Sequence, residues 1–259
     1  KVFIMGHDNE DYDAIGSAIG MAKLSLSLNK ETYIVLSGRN DNVTRISEML
    51  ARESIKVNDH EEDYNSIMVE EAEALKHITP NSLLILVDHH REILTASKSV
   101  LEAIPKRIIV DHHRRSEDLL ADTVLLYLEP SSSSTSELLT ELVGYFNDRL
   151  EFTPAEATAL YSGIVLDTKN FAVQTGERTF EAAALLRRNG ADSNMVRLMF
   201  KDDMDVLKLR ARLLADAKVL EYGIAIALYK KAEKGAKATI LAAQVADTLI
   251  NIEGIRVGV

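Results

Sequence analysis

The 259 residues suffice for one large domain or two ordinary ones, and the 46% apolar and 27% charged content is typical of a folded globular protein. The formal net charge of −10 disfavours long nucleic acids, because their phosphates repel an acidic surface, but it permits a small phosphorylated substrate held by metal ions. The absence of cysteine excludes disulfides and thiolate metal sites, and no apolar run could span a bilayer. Because the chain begins with Lys1 rather than Met, we expect it to be a fragment of a longer polypeptide.

Short apolar runs alternate with helical patterns over the first 130 residues. The pattern predicts strands at 2–5, 32–36, 83–87, 108–110 and 124–128, and helices at 14–28 and 46–51. The strands are continuously apolar, which is typical of a parallel sheet buried on both faces. We therefore predict an α/β fold, with a mainly parallel sheet flanked by helices. In such sheets, ligand sites lie beyond the carboxyl ends of the strands.

The later part of the chain is mainly helical. Thr153, followed by Pro154 and Glu156, indicates the start of a helix that runs to about Leu166. Further predicted elements are helices at 179–188, 193–221 and 242–252 and strands at 222–230 and from 254 onwards. The elements divide the chain into a large α/β domain at 1–191, a linker helix at 192–221, and a smaller α/β domain at 222–259 that we expect to be truncated.

Polar side chains follow several of the predicted strands. The stretch GHDNEDYD places His7, Asp11 and Asp13 in the loop after the first strand. Two Asp-His-His-Arg stretches, at 88–91 and 111–114, follow two later strands. Asp167 ends the helix that begins near Thr153 (SGIVLD). Taken alone, the first loop slightly favours a simpler interpretation, in which Asp11 and Asp13 cap a helix and His7 is a surface residue.

Taken together, these side chains indicate a metal site. Parallel strands end at one edge of a sheet, and converging carboxylates would cost several kcal/mol each without compensation. Divalent cations remove that cost. Oxygen ligands with some imidazole and no thiolate favour Mn²⁺, with Mg²⁺, Fe²⁺ or Co²⁺ as substitutes. Two ions about 3.5–4 Å apart are the usual arrangement for phosphoryl hydrolysis.

Four stretches resemble, in the same order, motifs of the DHH phosphoesterase superfamily: GHDNEDYDAIGSAIG, VDHHRR, EPSSSSTSELL and ALYSGIVLDTKNF. Within it, the Asp-His-His-Arg-Arg form and AAQVADTLINIEGI most resemble GdpP-type cyclic di-AMP phosphodiesterases. The resemblance implies an enzyme that hydrolyses cyclic di-AMP to linear pApA through a hydroxide bridging two Mn²⁺ ions. It makes residues 1–191 a DHH catalytic domain and residues 222–259 part of a DHH-associated domain.

The resemblance also implies roles for individual residues. The implied ligands are His7, Asp11 and Asp88 for one ion and Asp13, His112 and Asp167 for the other, with Asp88 as the bridge. The implied catalytic residues are His113, which would face the phosphate, Asp111, which would support it, and Arg114. The predicted substrate contacts are His90, Ser133, Ser134, Arg114 and Arg115. Serines before a helix are also interpreted as caps, and adjacent arginines as a solvated surface.

Two features depart from the family pattern. His89 stands where GdpP-type proteins usually have Thr, so it is a neutral replacement, a substrate contact or a disturbance of the site. The Gly-Gly-Gly-His motif of the family's second domain is missing, since the chain has no adjacent glycines and no histidine after His113.

Other functions remain open at this point. One alternative is a nanoRNase or 3′-phosphoadenosine phosphatase of the same superfamily, and another is a sensor that binds a nucleotide without cleaving it. RecJ-like exonucleases are disfavoured by the acidic charge and small size, and family II pyrophosphatases by the sequence of the first loop. The predicted partner is a small cyclic or short linear dinucleotide and not a long nucleic acid, with a homodimer left open. The resemblance implies a place on the cytoplasmic face of the membrane, through an anchor outside this chain.

Overall fold

The computed structural model describes residues 1–51, 55–57, 60–120, 123–146, 150–201, 204–229 and 236–259, and of residues 55–57, 60–62, 236, 237, 239 and 240 the backbone alone. The chain divides into two compact units, Lys1–Met199 and Phe200–Val259. No helix in these described ranges is long and apolar enough to cross a membrane.

The first unit is built on a six-stranded sheet with the order β5-β2-β1-β6-β7-β8. Its strands are β1 Val2–Met5, β2 Thr32–Leu36, β5 Met68–Glu70, β6 Leu83–Val87, β7 Arg107–Asp111 and β8 Thr123–Leu128. A separate antiparallel pair is formed by β3 Ile55–Val57 and β4 His60–Glu62. All neighbours in the large sheet pair in parallel, which confirms the predicted fold class.

Nine α-helices are described in the first unit. They are α1 Tyr12–Ser27, α2 Asp41–Leu50, α3 Tyr64–Ile67, α4 Glu71–His77, α5 Lys98–Ala103, α6 Thr135–Phe146, α7 Pro154–Asp167, α8 Glu177–Arg188 and α9 Ser193–Met199. Thr153 caps α7 in a capping box with Glu156, which confirms the predicted start of this helix.

Helix α1 packs closely against α7, and this contact brings Asp13 of α1 near the helix that ends at Asp167. A Cβ atom on Gly16 would lie 2.6 Å from the carbonyl oxygen of Ala159, and one on Gly163 would lie 2.6 Å from Oδ1 of Asp13. Larger side chains at these glycines would push the helices apart. The two small residues therefore allow Asp13 on α1 to lie beside α7, which ends at Asp167.

Strand β8 differs from the prediction of a buried strand. It lies at the outer edge of the sheet, where Val124 is 71%, Leu125 54% and Leu126 36% exposed. By contrast, the inner strands have fully buried residues such as Phe3 and Leu84. An apolar run predicts a buried strand only when neighbours cover both of its faces, and strand order is not readable from composition.

The second unit has two α-helices and a three-stranded sheet in its described residues. The elements are α10 Met204–Ala215, β9 Lys218–Leu220, β10 Ile224–Ile226, α11 Ala236–Ile250 and β11 Val257–Gly258. Strand β10 lies in the middle, antiparallel to β9 and parallel to β11. The core of the second unit contains Leu213, Ala225, Leu241, Val245 and Leu249.

The continuous helix predicted over 193–221 is wrong. Helix α9 ends at Met199, whose carbonyl oxygen accepts hydrogen bonds from the Tyr12 hydroxyl, at 3.0 Å, and from the Arg45 guanidinium. Tyr12 and Arg45, which are distant from Met199 in the sequence, thus bind its carbonyl oxygen at the point where the helix ends. Helix α10 and strand β9 then follow as separate elements. The assignment of 1–191, 192–221 and 222–259 to functional domains stays a prediction.

Candidate metal centre

The loop after β1 presents an imidazole and a carboxylate to the same point. Asp11 caps α1 by accepting the N–H groups of Asp13 and Ala14, at 2.9 and 3.0 Å. Nδ1 of His7 lies 2.9 Å from the carbonyl oxygen of Asp8 and donates to it, so Nε2 is the ring nitrogen that is available to a metal ion. Nε2 lies 3.6 Å from Oδ1 of Asp11 and 3.6 Å from Oδ2 of Asp88. Asp11 is therefore both a cap and a potential ligand.

Asp88 lies between two groups of side chains. It follows β6 with a φ of +63°, a left-handed conformation that costs on the order of 1 kcal/mol for a residue with a side chain. The carboxylate is buried, with Oδ2 towards His7 and Oδ1 3.6 Å from Nε2 of His112. The Thr135 hydroxyl donates to Oδ1 at 3.1 Å. The strained turn thus places one carboxylate within reach of both groups.

Asp13 joins the second group through the start of α6. Its two oxygens accept the N–H groups of Thr135 and Ser136, each at 2.8 Å, and the carboxylate is fully buried. The amides at a helix N-terminus stabilise a negative charge. Oδ2 of Asp13 lies 4.0 Å from Nε2 of His112, and Oδ2 of Asp167 lies 3.1 Å from it.

The described side chains form three sets that could hold a metal ion, each with donor atoms within 4.8 Å of one another. The sets are His7 with Asp11 and Asp88, Asp13 with His112 and Asp167, and Asp88 with His112 and His113. The first two sets correspond to the two ligand groups implied by the sequence motifs. The structure brings all six side chains together, and their role as ligands stays a prediction.

The electrostatics of the cluster show an excess of negative charge. Burial raises the pKa of Asp88 well above its usual range, and the charges of Asp13 and Asp11 raise it further. Burial also raises the pKa of Asp167. Burial lowers the pKa of His7, but hydrogen bonding and charge from Asp11 outweigh this and raise that pKa to about 9. Protons therefore bind to the side chains of the cluster when no metal cation neutralises their negative charge.

His112 provides the test of whether the residues fit a metal. Its pKa is lowered by burial, but Asp167 and Asp13 outweigh this and raise it to about 9. Nε2 is buried and forms no well-directed hydrogen bond with any residue that the structure describes, although Oδ2 of Asp167 is 3.1 Å away. A buried nitrogen that lacks a well-directed hydrogen bond and is surrounded by carboxylates is in the arrangement that a divalent cation satisfies. The donor set fits two such cations.

Asp111 connects two further imidazoles behind the cluster. Its Oδ2 lies 2.5 Å from Nδ1 of His90, and its Oδ1 lies 2.7 Å from Nδ1 of His113. Burial raises the pKa of Asp111, but the hydrogen bonds from His113 and His90 outweigh it and hold that pKa well below its usual range. Asp111 is therefore a carboxylate that orients both rings.

Three predicted substrate contacts have partners within the protein, and their role towards a substrate stays a prediction. His90 is buried, and its Nε2 accepts the N–H of Ser116 at 3.1 Å, so both ring nitrogens are engaged. The Ser133 hydroxyl donates to Oε2 of Glu137 at 2.5 Å, and the Ser134 hydroxyl accepts the N–H of Glu137 at 3.0 Å. Both serines are fully buried. Ser134 has the geometry of the capping alternative, because its hydroxyl accepts a free amide at the start of α6, whereas the Ser133 hydroxyl binds the carboxylate of Glu137.

An open cleft of about 640 Å³ lies beside the cluster. It is lined by His113, Asp167, His89, Arg91, Arg114 and Gln174, among others. Of the two predicted arginines, Arg114 lines the cleft and is exposed, and Arg115 is exposed outside the set of lining residues. Arg91 was not predicted as a site residue, although it ends the first Asp-His-His-Arg stretch. Thr135, which follows the serines at 131–134, was not predicted either.

The family model for the DHH family, N-terminal domain, matches residues 1–164. The chain belongs to the DHH family. Over 99% of its length this DHH chain is 38% identical to the cyclic-di-AMP phosphodiesterase PdeA of Listeria monocytogenes, and over 98% it is 40% identical to the cyclic-di-AMP phosphodiesterase GdpP of Geobacillus thermodenitrificans. The chain spans 38% of the length of each of these relatives.

A solved structure supports the fold of the DHH chain. An exopolyphosphatase-related protein from Bacteroides fragilis superposes with a TM-score of 0.75 at 21% identity, over 98% of this chain and 73% of that one. Identity at this level shows the shared fold alone.

His89 is the residue of the DHH motif that departs from the usual GdpP-type sequence. It is buried, and its Nδ1 lies 3.2 Å from the carbonyl oxygen of Arg91. Nε2 has no hydrogen-bond partner among the described residues. Burial lowers the pKa of His89 to about 4. The ring is therefore neutral at physiological pH and adds no charge beside Asp88.

Changing His89 to threonine is expected to reduce the sensitivity of the fold to acid. A histidine with a pKa of about 4 when folded and about 6.5 when unfolded stabilises the fold fully above pH 6.5, and this stabilisation is lost as the pH falls towards 4. The wild type should lose about 2 kcal/mol more than His89→Thr between about pH 7.5 and about pH 5. Denaturant unfolding of both proteins at the two pH values measures the difference.

The same variant should leave turnover within about tenfold, roughly 1.4 kcal/mol, if the site is already competent. A much larger gain in activity would show instead that His89 suppresses the reaction. An equal loss of stability in both proteins would contradict the neutral, buried state of the ring.

Proposed function

We propose that this chain carries the catalytic site of a metal-dependent phosphodiesterase that hydrolyses cyclic di-AMP to linear pApA. The observation that carries the proposal is the pair of donor groups that share Asp88, with its two oxygens each 3.6 Å from an imidazole of a different group. Two adjacent cation sites suit in-line displacement at phosphorus. The names of the relatives PdeA and GdpP support the choice of cyclic di-AMP.

The proposed cofactors are two Mn²⁺ ions. His7, Asp11 and Asp88 would hold one, and Asp13, His112 and Asp167 the other, with Asp88 shared. When bound, such ions supply Lewis-acid activation of water and of the phosphoryl oxygens. The carboxylate oxygens and neutral imidazoles suit Mn²⁺, and also Mg²⁺, Fe²⁺ or Co²⁺.

His113 is the proposed proton carrier. Its side chain is 56% exposed beside the cleft, and its Nδ1 is held by Oδ1 of Asp111 at 2.7 Å. With the Nδ1–H donated to Asp111, Nε2 is the atom that would carry the second proton of the imidazolium and pass it to the leaving ribose oxygen, which leaves a neutral ring. Because Asp111 also binds His90, which Ser116 fixes in turn, we propose a positioning role for His90 in place of substrate contact.

The substrate phosphates are proposed to bind on the cationic side of the cleft. Arg114 and Arg91 both line it, and Arg91 also forms an ion pair with Asp118, with 2.7 Å between Nη2 and Oδ2. A guanidinium binds two phosphate oxygens at once, which positions the scissile bond. Every proposed ligand lies between His7 and Asp167, so we assign catalysis to the first unit and treat the second as part of a DHH-associated domain.

A comparison of three substrates tests the proposed function. The 259-residue chain should lose activity on chelation, regain it with Mn²⁺, and convert cyclic di-AMP to pApA with a higher kcat/KM than it shows for pApA or for 3′-phosphoadenosine 5′-phosphate. A preference for pApA would favour a nanoRNase, and one for the mononucleotide would favour a phosphatase. Binding of metal and nucleotide without turnover would indicate a sensor.

A further inference from the structure

The loop after β1, which carries two of the proposed metal ligands, is bound from both sides. Strand β1 lies between β2 and β6 in the sheet. On the β6 side, the N–H of Asp8 donates to the carbonyl oxygen of Leu94 at 2.6 Å. On the β2 side, the N–H of Asn9 donates to the Ser37 hydroxyl at 3.1 Å. The path of the loop is therefore set by contacts from outside it.

Glu10 provides most of the contacts on the β2 side. It is only 1% exposed, and carboxylates are seldom buried unless they have partners. Its Oε1 accepts the backbone N–H of Ser37 at 2.6 Å, and its Oε2 accepts the Ser37 hydroxyl at 2.8 Å. The backbone carbonyl oxygen of Glu10 accepts the side-chain amides of Asn40, at 2.8 Å, and of Asn42, at 3.2 Å. Both the side chain and the backbone of Glu10 thus bind the segment after β2.

The contacts of Glu10 are those of a support for ligands. Both carboxylate oxygens are engaged by Ser37, and none of the three donor sets among the described side chains includes Glu10. Hydrogen bonds to an ionised carboxylate are stronger than neutral ones, so they offset the cost of burying its charge. They are also directional, which holds the adjoining backbone in one conformation.

We propose that Glu10 is a positioning residue for the metal ion that His7, Asp11 and Asp88 would hold, an inference that rests on the proposed metal centre. Glu10 lies between His7 and Asp11 in the loop. By binding Ser37, it keeps Nε2 of His7 and Oδ1 of Asp11 3.6 Å apart, with Oδ2 of Asp88 also 3.6 Å from that nitrogen. Residues that hold metal ligands in place commonly contribute a factor of roughly 10–100 to metal affinity.

The second donor group has supports of its own. The N–H groups of Thr135 and Ser136 hold Asp13, and the other two members, His112 and Asp167, follow β7 and end α7. Loss of the Glu10 contacts should therefore weaken binding of the first ion selectively. A purely structural role of Glu10 would instead weaken both ions or neither.

Mn²⁺ titration of variants that keep one donor group each tests this selectivity. His112→Ala removes a ligand of the second group, and His7→Ala removes one of the first. Adding Glu10→Gln should weaken Mn²⁺ binding roughly 10–100-fold in His112→Ala and less than about twofold in His7→Ala. Glutamine has the size of glutamate but replaces one acceptor with an NH₂ donor, which would face a donor of Ser37. Isothermal titration calorimetry on the 259-residue chain measures both affinities without a turnover assay.

A second variant and a matched control accompany this test. Ser37→Ala removes one partner of Glu10 without changing any charge, so it should cause the same selective loss to a smaller extent. It also carries the test if Glu10→Gln does not fold. Glu71→Gln is the control, because Glu71 likewise accepts two hydroxyls, from Ser97 at 2.6 Å and Ser99 at 3.1 Å, and belongs to none of the donor sets. It should leave both affinities unchanged.

Equal weakening of both ions, or unchanged affinity in the His112→Ala background, would overturn the positioning role. Failure of the metal centre itself has a different signature, since the wild-type chain would then bind fewer than two Mn²⁺ ions before any change at Glu10. That result would overturn the proposed centre together with the role of Glu10. Two ions in the wild type, with a loss confined to the first group in Glu10→Gln, would support both.

Discussion

Replacing Asp88 with alanine is expected to abolish hydrolysis of cyclic di-AMP and to remove both metal ions. Its Oδ2 faces His7 and its Oδ1 faces His112, so the change removes a donor from each group at once. Bound metal ions supply several kcal/mol of transition-state stabilisation, and turnover should fall by at least about 10⁴-fold. Metal analysis of the purified variant, together with a turnover assay at saturating Mn²⁺, measures both effects.

The control for this prediction is Asp118→Ala. Asp118 is also a carboxylate close to the cleft, but it is half exposed and pairs with Arg91. It should keep both ions and most of the activity. Two ions retained in Asp88→Ala would contradict the bridging role.

Stability separates loss of a ligand from damage to the fold. Burial and the neighbouring carboxylates raise the pKa of Asp88, so this side chain is poorly accommodated as an anion when no metal is bound. Metal-free Asp88→Ala should therefore unfold at a temperature no lower than that of the metal-free wild type. Only the wild type should gain stability when Mn²⁺ is added.

Alanine at His112 and at the adjacent His113 should have different consequences. Nε2 of His112 lies 3.1 Å from Oδ2 of Asp167 within the second donor group, so His112→Ala should lower the metal content from two ions towards one. His113 is held by Asp111 and is half exposed, so His113→Ala should keep two ions and lose about 10²–10⁴-fold in turnover, the usual contribution of a general acid. Metal analysis and single-turnover kinetics on both variants provide the comparison.

Two results would count against this assignment. Equal loss of metal in both variants would make His113 a ligand, as the third donor set with Asp88 allows. Unchanged turnover in His113→Ala would show that the leaving oxygen is protonated by another group.

Local sequence was enough to predict several elements and the composition of the site. The apolar runs at 2–5, 32–36 and 83–87 are strands at those bounds, because each is short, continuous and followed by polar residues. Thr153, Pro154 and Glu156 define the start of α7 through contacts within four residues. The convergence of the predicted ligands was predictable because parallel strands end at one edge of a sheet, and their role as ligands stays a prediction.

The partners of the site residues were not predictable in the same way. His90 meets Asp111 and Ser116, and Asp13 meets the amides of Thr135 and Ser136, more than 100 residues away in the chain. Such pairs form only after the sheet and helices have packed. A histidine or serine in a motif therefore indicates chemistry, but whether it faces substrate or supports a neighbour depends on distant residues.

The sequence by itself determined the α/β class, the inner strands and the set of donor side chains, since these follow from patterns within a few residues. The tertiary structure decided that Asp88 lies between two donor groups, that α9 stops where Tyr12 and Arg45 bind the carbonyl oxygen of Met199, and that β8 lies at an edge. The physical reason is the same in each case. Burial, strand order and hydrogen-bond partners depend on which surfaces meet, and neighbouring residues in the chain do not specify them.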